Sequence, residues 1–423
     1  MPVVTVMLDP RRPLGKRLSP ARGAVMMRWV EPPRRLRRVT DGADGLAAVP
    51  TVGMVGAGQL ARMTCQAAIG LGIGFRVLAG SAGDSAAQVC AGVQVGDYTD
   101  LADLLAFASR CDVVTFDHEH VPGQHLAELE RAVAVRPGAA ALRFTQDKLA
   151  MRERLGRLGV PCPRYAPVSD LAGVTAFAAD AGWPVVLKAV SGGYDGRGVW
   201  VCGKPDEAAE VLAHRVAVFA EEHVDFGREL AVLAARSPHG QAAVYPVVQT
   251  VQRDGICHEV LAPAPLLTER RALEAQQLAL GLAAELDVTG LLAVELFETR
   301  RGLLVNELAM RPHNSGHWTI EGAATSQFEQ HLRAVLDLPL GAPGAVAPQV
   351  VMANVFGGAD PDVYDRYLHV MAADPGVKIH MYGKAVRPGR KIGHVTLLGD
   401  PGLTDELRER AGRAARYLAT GKD

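Results

Sequence analysis

The pattern of apolar and polar positions divides the chain into short strands that alternate with amphipathic helices. From residue 51 onward, the apolar runs TVGMV, FRVLA and DVVTF are separated by helical patterns such as TDLADLLAFASR. Strands that alternate with helices are typical of a parallel sheet covered on both faces. The sequence therefore predicts an α/β fold with a Rossmann-like N-terminal domain over residues 50–145, and a helix over 145–159 follows it.

Two further domains of mixed α+β character are predicted, a central one over residues 146–235 and a C-terminal one over 236–423. Their predicted helices cover residues 169–181, 205–219, 269–286, 326–336 and 403–419, and their predicted strands cover 185–190, 199–202, 229–236, 242–249, 256–261 and 350–356.

The most informative apolar pattern lies in residues 291–308. Two apolar runs flank a polar tip around Arg301, which predicts a β-hairpin in which Glu295 and Glu307 face each other across the ladder. Like charges at about 4 Å repel by about 4 kcal/mol at an effective dielectric of about 20. A Mg²⁺ ion held by the two carboxylates and by substrate phosphates would explain the pair. Two glutamates on a solvated strand face are the alternative.

Composition narrows the class of protein. With 423 residues, 48% hydrophobic content and a net charge of −1, the chain has the composition of a soluble globular protein of two or three domains. No apolar run approaches the roughly 18 residues of a membrane span. The six cysteines show no C-x-x-C spacing, which favours a reducing, cytoplasmic location over a disulfide framework or a structural zinc site.

The charge is unevenly distributed. Residues 1–49 hold ten Arg and Lys against four Asp and Glu, which gives +6 and leaves −7 for the remainder. This segment is interrupted by prolines and has neither apolar periodicity nor a secretory apolar region. We expect a disordered extension, or a true start nearer Met26, Met27 or Met54. A nucleic-acid-binding arm is the less favoured alternative.

Two loops at the ends of predicted N-terminal strands carry candidate chemistry. The turn GAGQL, residues 56–60, places backbone amides at a helix N-terminus, where an anion could bind. As a dinucleotide fingerprint it is weak, because Ala61 replaces the third glycine and no acidic residue ends the next strand, so another anion or plain tight packing is favoured over NAD. The second loop, residues 117–120, follows DVVTF at the edge of the sheet where ligands bind in α/β folds. An ordinary polar loop is the alternative.

Three further features suggest a phosphate site. Lys188 lies in an apolar strand and needs an anionic partner if it is buried, unless it extends to solvent from an edge strand. The loop SGGYDGRG after it lacks the Walker A sequence and predicts a mobile flap whose amides can cover phosphates, or a hairpin without function. Lys384, Arg387, Arg390 and Lys391 form a shaped cationic loop, which indicates either an anion site or a solvated surface.

The order of these features resembles that of the ATP-grasp superfamily. Within it, the chain is most similar to the 5-(carboxyamino)imidazole ribonucleotide synthase family of purine-pathway ligases. The shared motifs, from about residue 51 to 399, are GAGQLARM, FDHEHV, TQDK, VVLKAVSGGYDGRG, EEHVDF, YPVVQTVQRDGI, VELFE, LVNELAMRPHNSGHWTIEGAATSQFEQHLRA and YGKAVRPGRKIGH. HNSGHWT together with RPGRKIGH is specific for this family. The chain departs from the family pattern at Asp117, Gln249, Gln252 and Met310.

The resemblance implies a role for each of these residues. Lys188, Arg143 and Lys148 would contact the ATP phosphates, and Glu295 and Glu307 would hold Mg²⁺ beside Asn306. The other residues implied to bind ATP are Gly193, Tyr194, Asp195, Gly196, Arg197, Gly198 and Val199 of the flap, Glu221, Glu222, His223 and Val224 at the adenine edge, and Glu229 and Gln252. The residues implied to bind the second substrate are Gln59, Leu60, Glu119, Arg311, His313, Asn314, Lys384, Arg390 and Lys391, and Glu119, Tyr194 and Arg197 are implied at the carboxylation centre.

The activity that the resemblance implies is the ATP-dependent carboxylation of aminoimidazole ribonucleotide by bicarbonate, by a cytoplasmic and dimeric enzyme without nucleic-acid or membrane partners. Within the superfamily, a formate-dependent glycinamide ribonucleotide transformylase is the alternative, and it lacks the HNSGHWT and RPGRKIGH pairing. A hypothesis from a different class of protein is an NAD-dependent oxidoreductase that binds its cofactor at the GAGQL turn. It predicts that NADH fluorescence increases on binding. A binding protein that retains the ATP fold without turnover is disfavoured by the intact lysine, glutamates and flap.

Overall fold

The computed structural model of the protein describes residues 5–7, 49–193 and 196–422. Within these ranges, the strands form three sheets of five, four and ten strands. The first strand, β1 (Thr5–Met7), lies in the N-terminal segment for which no element was predicted, and it pairs with residues 241–243 of the largest sheet. The rest of that segment, residues 1–4 and 8–48, lies outside the described residues.

The first sheet confirms the predicted parallel α/β fold. Its strands are β2 (Thr51–Val55), β3 (Gly74–Ala79), β4 (Gly92–Val95), β5 (Val113–Phe116) and β6 (Ala134–Val135), and its helices are α1 (Gln59–Leu71), α2 (Leu101–Ala108) and α3 (Gly123–Ala132). The strand order is β4-β3-β2-β5-β6 and every pairing is parallel. The carboxyl ends of β2 and β5 therefore meet at one edge, where α1 begins and where Asp117 follows β5.

Two helices lead from the first sheet to the second. The connecting helices are α4 (Ala139–Gln146) and α5 (Lys148–Arg157), the strands of the second sheet are β7 (Tyr165–Pro167), β8 (Val185–Ala189), β9 (Val199–Cys202) and β10 (Val218–Glu222), and its helices are α6 (Leu171–Ala181) and α7 (Pro205–Ala213). This sheet is antiparallel in the order β7-β10-β8-β9. The glycine-rich loop connects β8 to β9.

The third sheet is antiparallel and carries the predicted hairpin. Its further strands are β11 (Arg228–Arg236), β12 (Gln241–Val244), β13 (Val248–Arg253), β14 (Ile256–Ala262), β15 (Gly290–Glu298), β16 (Leu303–Ala309), β17 (Gln349–Phe356), β18 (Lys378–Met381) and β19 (Lys391–Gly399). Its helices are α8 (Glu269–Glu285), α9 (Thr319–Gly322), α10 (Gln327–Val335), α11 (Tyr367–Ala373) and α12 (Thr404–Thr420), with short 3₁₀ turns at Asn314–Gly316 and Tyr364–Arg366. The main path is β1-β12-β11-β13-β14-β17-β19-β18, and β15 joins β11 to β16.

The first and third sheets share a continuous apolar core. The largest buried cluster runs from Leu104 and Leu142 to Leu230 and Leu280, so helices of both regions contribute to it. A buried polar contact also joins the two sheets, because His331 Nε2 lies 2.7 Å from Thr115 Oγ1 while His331 Nδ1 accepts the backbone N–H of Leu291 at 3.2 Å. The loop after β5 and the hairpin are therefore held at a fixed distance from each other.

Several predicted boundaries differ from the observed ones. The helix predicted over 145–159 is interrupted at Asp147, whose carboxylate accepts the N–H of Ala150 and caps α5. The helix predicted over 205–219 ends at Ala213, and the chain then enters β10. The strand predicted near 242–249 is two strands, β12 and β13. The strand β11 belongs to the third sheet, although the sequence analysis ended the central domain at residue 235.

No helix among residues 49–193 and 196–422 is long and apolar enough to cross a membrane.

Candidate active site

A single cleft of about 980 Å³ lies where the three sheets meet, and it collects most of the predicted site residues. The loops after β2 and β5 form one end, and β8, β10 and the glycine-rich loop form the other. The hairpin of β15 and β16 lies between these two ends. The predicted residues that line the cleft are Gln59, Leu60, Glu119, Lys148, Lys188, Gly193, Gly196, Val199, Glu221, Glu222, His223, Val224, Glu229, Gln252, Glu295, Asn306, Glu307, Arg311, His313, Asn314, Lys384 and Lys391.

The hairpin places the two predicted metal ligands opposite each other. Glu295 of β15 pairs directly with Glu307 of β16, and the next pair is Leu296 with Val305, so Asn306 is an extra residue without a partner on β15. A β-bulge of this kind interrupts the alternation of side chains along a strand. As a result, the consecutive residues Asn306 and Glu307 both turn their side chains to cationic groups of the cleft.

The electrostatics of this pair indicate a site for a cation. Burial, followed by the nearby Glu307 and Glu229 carboxylates, raises the pKa of Glu295 to about 8. Burial acts in the same direction on Glu307, but its ion pair with Lys148 holds the pKa of Glu307 below its ordinary value. The imidazole Nε2 of His313 lies 3.5 Å from a Glu295 oxygen. A cation near both carboxylates would offset the burial of Glu295 and its repulsion by Glu307, the two main causes that raise its pKa.

Lys188 is buried beside an anionic partner, as the sequence required. Its ammonium lies 2.7 Å from Glu221 Oε2 and donates to Asn306 Oδ1 at 3.0 Å, and its side chain is 12% exposed. Burial and the nearby Arg152 lower the pKa of Lys188, while Glu221 opposes this shift. Two cations, Lys188 and Arg152, thus contact the Glu221 carboxylate at this end of the cleft.

Arg152 is a site residue that the sequence analysis did not identify. Its guanidinium is completely buried, pairs with Glu221, and donates to the backbone carbonyls of Val305 at 3.0 Å and Asn306 at 2.7 Å. It therefore fixes both the predicted adenine edge and the bulge of the hairpin. The sequence could have indicated Arg152 through its spacing, because it lies four residues after Lys148 and therefore on the same face of α5.

The glycine-rich loop has the backbone geometry of a tight cover. Gly193, Gly196 and Gly198 have φ values between +75° and +79°, a region that favours glycine, and a Cβ on Gly193 would lie 2.5 Å from the carbonyl oxygen of Arg197. Tyr194 and Asp195 lie outside the described residues. Among the described residues of the loop, Arg197 and Gly198 do not line the cleft.

The predicted adenine edge lies at the end of β10. Glu221, Glu222, His223 and Val224 line the cleft in succession, and Glu229 at the start of β11 faces them. Burial raises the pKa of Glu229, and a hydrogen bond from Gln252 opposes this shift. Glu229, one of the residues predicted to bind ATP, is therefore a carboxylate that already has an amide partner.

The opposite end of the cleft holds the predicted second-substrate residues. Glu119 accepts the backbone N–H of Met310 at 2.6 Å and lies 3.3 Å from Arg311 Nε. Lys384 donates to the side chain of Gln59, so the cationic loop before β19 reaches the turn between β2 and α1. Residues that are more than 300 positions apart in the sequence thus form one polar surface.

The GAGQL turn already holds an anion, namely the carboxylate of Asp117. This side chain accepts the backbone N–H groups of Gly58 at 3.0 Å and Ala61 at 2.8 Å, at the N-terminus of α1. A Cβ on Gly58 would lie 2.4 Å from Asp117 Oδ2, which explains why glycine is needed there. Because the carboxylate occupies two of these amides, the turn is a poor site for the pyrophosphate of a dinucleotide.

Besides Arg197 and Gly198, two further predicted residues do not line the cleft. Arg143 of α4 places its guanidinium 5.1 Å from the ring centroid of Phe144, and Arg390 donates to the carbonyl of Ala385 at 3.2 Å. Neither is among the described residues that line the cleft. The geometry therefore gives no direct support for their predicted contacts.

Three family models match consecutive parts of the chain. The ribonucleotide synthetase preATP-grasp domain matches residues 49–146, the ATP-grasp domain matches 153–328, and the phosphoribosylaminoimidazole carboxylase C-terminal domain matches 350–410. The N5-carboxyaminoimidazole ribonucleotide synthase of Mycobacterium tuberculosis is 58% identical over 382 residues, which cover 88% of this chain and 89% of that relative. The chain belongs to the N5-carboxyaminoimidazole ribonucleotide synthase family.

Solved structures of this synthase family share the fold. The crystal structure of the N5-carboxyaminoimidazole ribonucleotide synthetase from Thermus thermophilus matches with a TM-score of 0.79 and 40% identity, over 87% of this chain and 98% of that one. The enzyme from Aspergillus clavatus, crystallised with ADP and 5-aminoimidazole ribonucleotide, matches with a TM-score of 0.81 and 33% identity, over 88% of this chain and 98% of that one. The family resemblance inferred from the sequence motifs is confirmed.

Proposed function

We propose that the protein is an ATP-dependent carbon–nitrogen ligase that carboxylates the exocyclic amine of 5-aminoimidazole ribonucleotide. Bicarbonate supplies the carboxyl group, and the products are N5-carboxyaminoimidazole ribonucleotide, ADP and phosphate, in purine biosynthesis. The observation that carries this proposal is the single cleft in which the opposed Glu295 and Glu307, the buried Lys188 and the Lys384 loop converge. Its two ends suit a nucleoside triphosphate and a second phosphorylated substrate.

The chain's cations and amides account for the activation of bicarbonate. Bicarbonate is a poor electrophile, so it is first phosphorylated to carboxyphosphate. Phosphoryl transfer depends mainly on positioning and on neutralisation of charge. Lys188 and Lys148 supply that neutralisation at one end of the cleft, and the glycine-rich loop covers the phosphates. Because carboxyphosphate is readily hydrolysed, the same loop protects it by excluding water.

The opposed carboxylates suit Mg²⁺, which takes one or two carboxylates together with phosphate oxygens. Glu295 and Glu307 would hold the ion beside Asn306, and its chemistry is the neutralisation of charge on the transferred phosphoryl group. The described residues contain no cluster of three or more His, Cys, Asp or Glu side chains arranged for a metal. We expect phosphate oxygens of the nucleotide to supply further ligands to the ion.

The other end of the cleft would bind and deprotonate the amine substrate. Gln59, Lys384 and Lys391 lie together where the ribonucleotide phosphate would bind, and Arg311 lies beside Glu119. The amine must lose a proton as the carbon–nitrogen bond forms. Glu119 and the released phosphate are the two available acceptors. Arg197, as a guanidinium, suits a bidentate contact with the carboxylated oxyanion once the flap closes.

A phosphate-release assay tests the proposed function. Release should require ATP, Mg²⁺, bicarbonate and aminoimidazole ribonucleotide together, and the omission of any one should reduce the rate to background. Equal turnover with formate and glycinamide ribonucleotide would assign the protein to the transformylase instead. NADH fluorescence should not increase on mixing, since Asp117 occupies the α1 amides.

Three broader predictions belong to the same proposal. We infer a cytoplasmic enzyme, which is supported by the six cysteines, all of which are described and none of which forms a disulfide. We infer a homodimer, which sedimentation equilibrium can test. The sequence-based domains, residues 50–145, 146–235 and 236–423, remain predictions that limited proteolysis can examine.

A further inference from the structure

Helix α10 carries two buried glutamines that bind the backbone of two different loops. Gln327 Oε1 accepts the N–H of His313 at 2.9 Å, and Gln327 Nε2 donates to the carbonyl of the same residue at 2.8 Å. Gln330 makes the equivalent pair of bonds with Gly341, at 2.7 Å and 2.8 Å. Both side chains are fully buried. The two contacts have the same chemistry but lie at different distances from the cleft.

The contact at His313 uses every polar atom of the Gln327 amide. Besides the two bonds to the His313 backbone, Gln327 Nε2 lies 3.0 Å from Nδ1 of the buried His317. Gly316 makes the close approach possible, because a Cβ there would lie 2.5 Å from Gln327 Oε1. The main chain of His313 is therefore fixed at both its donor and its acceptor.

The fixed backbone aims the His313 ring at the reacting region. The ring is held at one end by Ser315, whose Oγ lies 2.8 Å from Nδ1, and its Nε2 lies 3.5 Å from Glu295. His313 lines the cleft, whereas Gln327 and Gln330 do not. A small displacement of a positioned group can cost a factor of about 100 in rate.

We propose that Gln327 is a positioning residue that sets His313 for the binding of aminoimidazole ribonucleotide, an inference that rests on the proposed function. Loss of the amide frees the main chain of residue 313 and lets its ring leave the cleft. It also leaves the N–H of His313 without its acceptor, whereas the carbonyl of His313 still accepts the N–H of Gly316 at 2.9 Å. The ATP end of the cleft, around Lys188 and Glu221, makes no contact with Gln327 and keeps its geometry.

The experiment compares Gln327→Met with Gln330→Met, since each removes one pair of buried bonds from the same helix. Three quantities are measured: the KM for aminoimidazole ribonucleotide by phosphate release, the binding of a non-hydrolysable ATP analogue, and the thermal midpoint. Both variants should lose thermal stability. Only Gln327→Met should raise the KM, by about tenfold or more, with ATP-analogue binding within about twofold of wild type.

Further variants keep the test decisive if Gln327→Met does not fold. Gln327→Glu retains the acceptor for the His313 N–H but loses both donors, so it should show an intermediate KM. Gly316→Ala should raise the KM by pushing Gln327 away. Equal KM changes in the Gln327 and Gln330 variants, or an unchanged KM in every variant of Gln327, would overturn the inference. Failure of the proposed function looks different, because the wild-type enzyme would then lack phosphate release that depends on aminoimidazole ribonucleotide.

Discussion

The contact between His331 and Thr115 predicts a pH-dependent stability that one substitution can isolate. Because His331 Nδ1 accepts the N–H of Leu291, the ring is neutral and its proton lies on Nε2, facing Thr115. Burial lowers the pKa of His331 to about 3. Below the unfolded pKa of about 6.5, the unfolded chain binds a proton that the native state does not. Stability is therefore lost as the pH falls from about 6.5 towards 3.

The magnitude follows from the two pKa values. At pH 5.5, keeping His331 neutral costs the wild type about 1.4 kcal/mol, and at pH 7.5 it costs almost nothing. In His331→Gln, the amide can still donate to Thr115, but the buried N–H of Leu291 loses its acceptor. We expect a loss of about 1–3 kcal/mol at pH 7.5. In the variant, residue 331 does not titrate, so the wild type alone loses stability between pH 7.5 and 5.5. The difference in unfolding free energy between the two proteins should therefore be about 1.4 kcal/mol smaller at pH 5.5.

Urea unfolding at the two pH values measures this difference. The comparison of wild type with variant removes the contributions of all other titrating groups, provided that they are the same in both proteins. His214→Gln serves as the control, because His214 is exposed and its replacement should leave the unfolding midpoint unchanged at both pH values. If His331→Gln costs the same free energy at pH 7.5 and 5.5, the ring is not held neutral and the reasoning is wrong.

Three other substitutions test the site. Arg152→Met should lower the unfolding free energy, measured in urea, by about 3–5 kcal/mol and weaken ATP-analogue binding, because it removes a completely buried cation. Arg157→Met, on the exposed face of the same helix, is the control and should cost less than about 1 kcal/mol. Glu307→Gln should fold normally but release phosphate at least about 100-fold more slowly; an unchanged rate would exclude a metal role. Gly58→Ala should displace the Asp117 carboxylate and cost about 1–3 kcal/mol, and an unaltered thermal midpoint would contradict that contact.

The hairpin shows how far sequence reasoning reached. The predicted facing of Glu295 and Glu307 is confirmed, but it assumed a tip centred near Arg301. The observed turn closes between Thr299 and Gly302, half a residue earlier. The facing is correct only because the bulge at Asn306 adds one residue to β16. Apolar periodicity reveals a hairpin, whereas a bulge depends on side-chain contacts that the pattern does not contain.

The other features of the fold and the site depend on contacts between segments that are distant in the sequence, and this limited their prediction. Arg152 has the sequence setting of an ordinary charged helix residue, and its partners lie 69 to 154 positions away. The role of Asp117 at the start of α1 depends on β2 and β5 being adjacent in the sheet. The helix predicted over 205–219 ran into β10 because no Gly or Pro marks its end after Ala213. Individual site assignments therefore remain predictions, although most of the residues share one cleft.

The unpaired Asn306 makes the hairpin sensitive to changes of a single residue. Deleting it would make the pairs Leu296–Val305 and Glu295–Glu307 consecutive and would restore a regular ladder between β15 and β16. Asn306 would no longer be available to Lys188, and its carbonyl would no longer be available to Arg152. The length of the strand, and not only the identity of its acids, is therefore under constraint, and redesigned hairpins on this scaffold should preserve the odd residue.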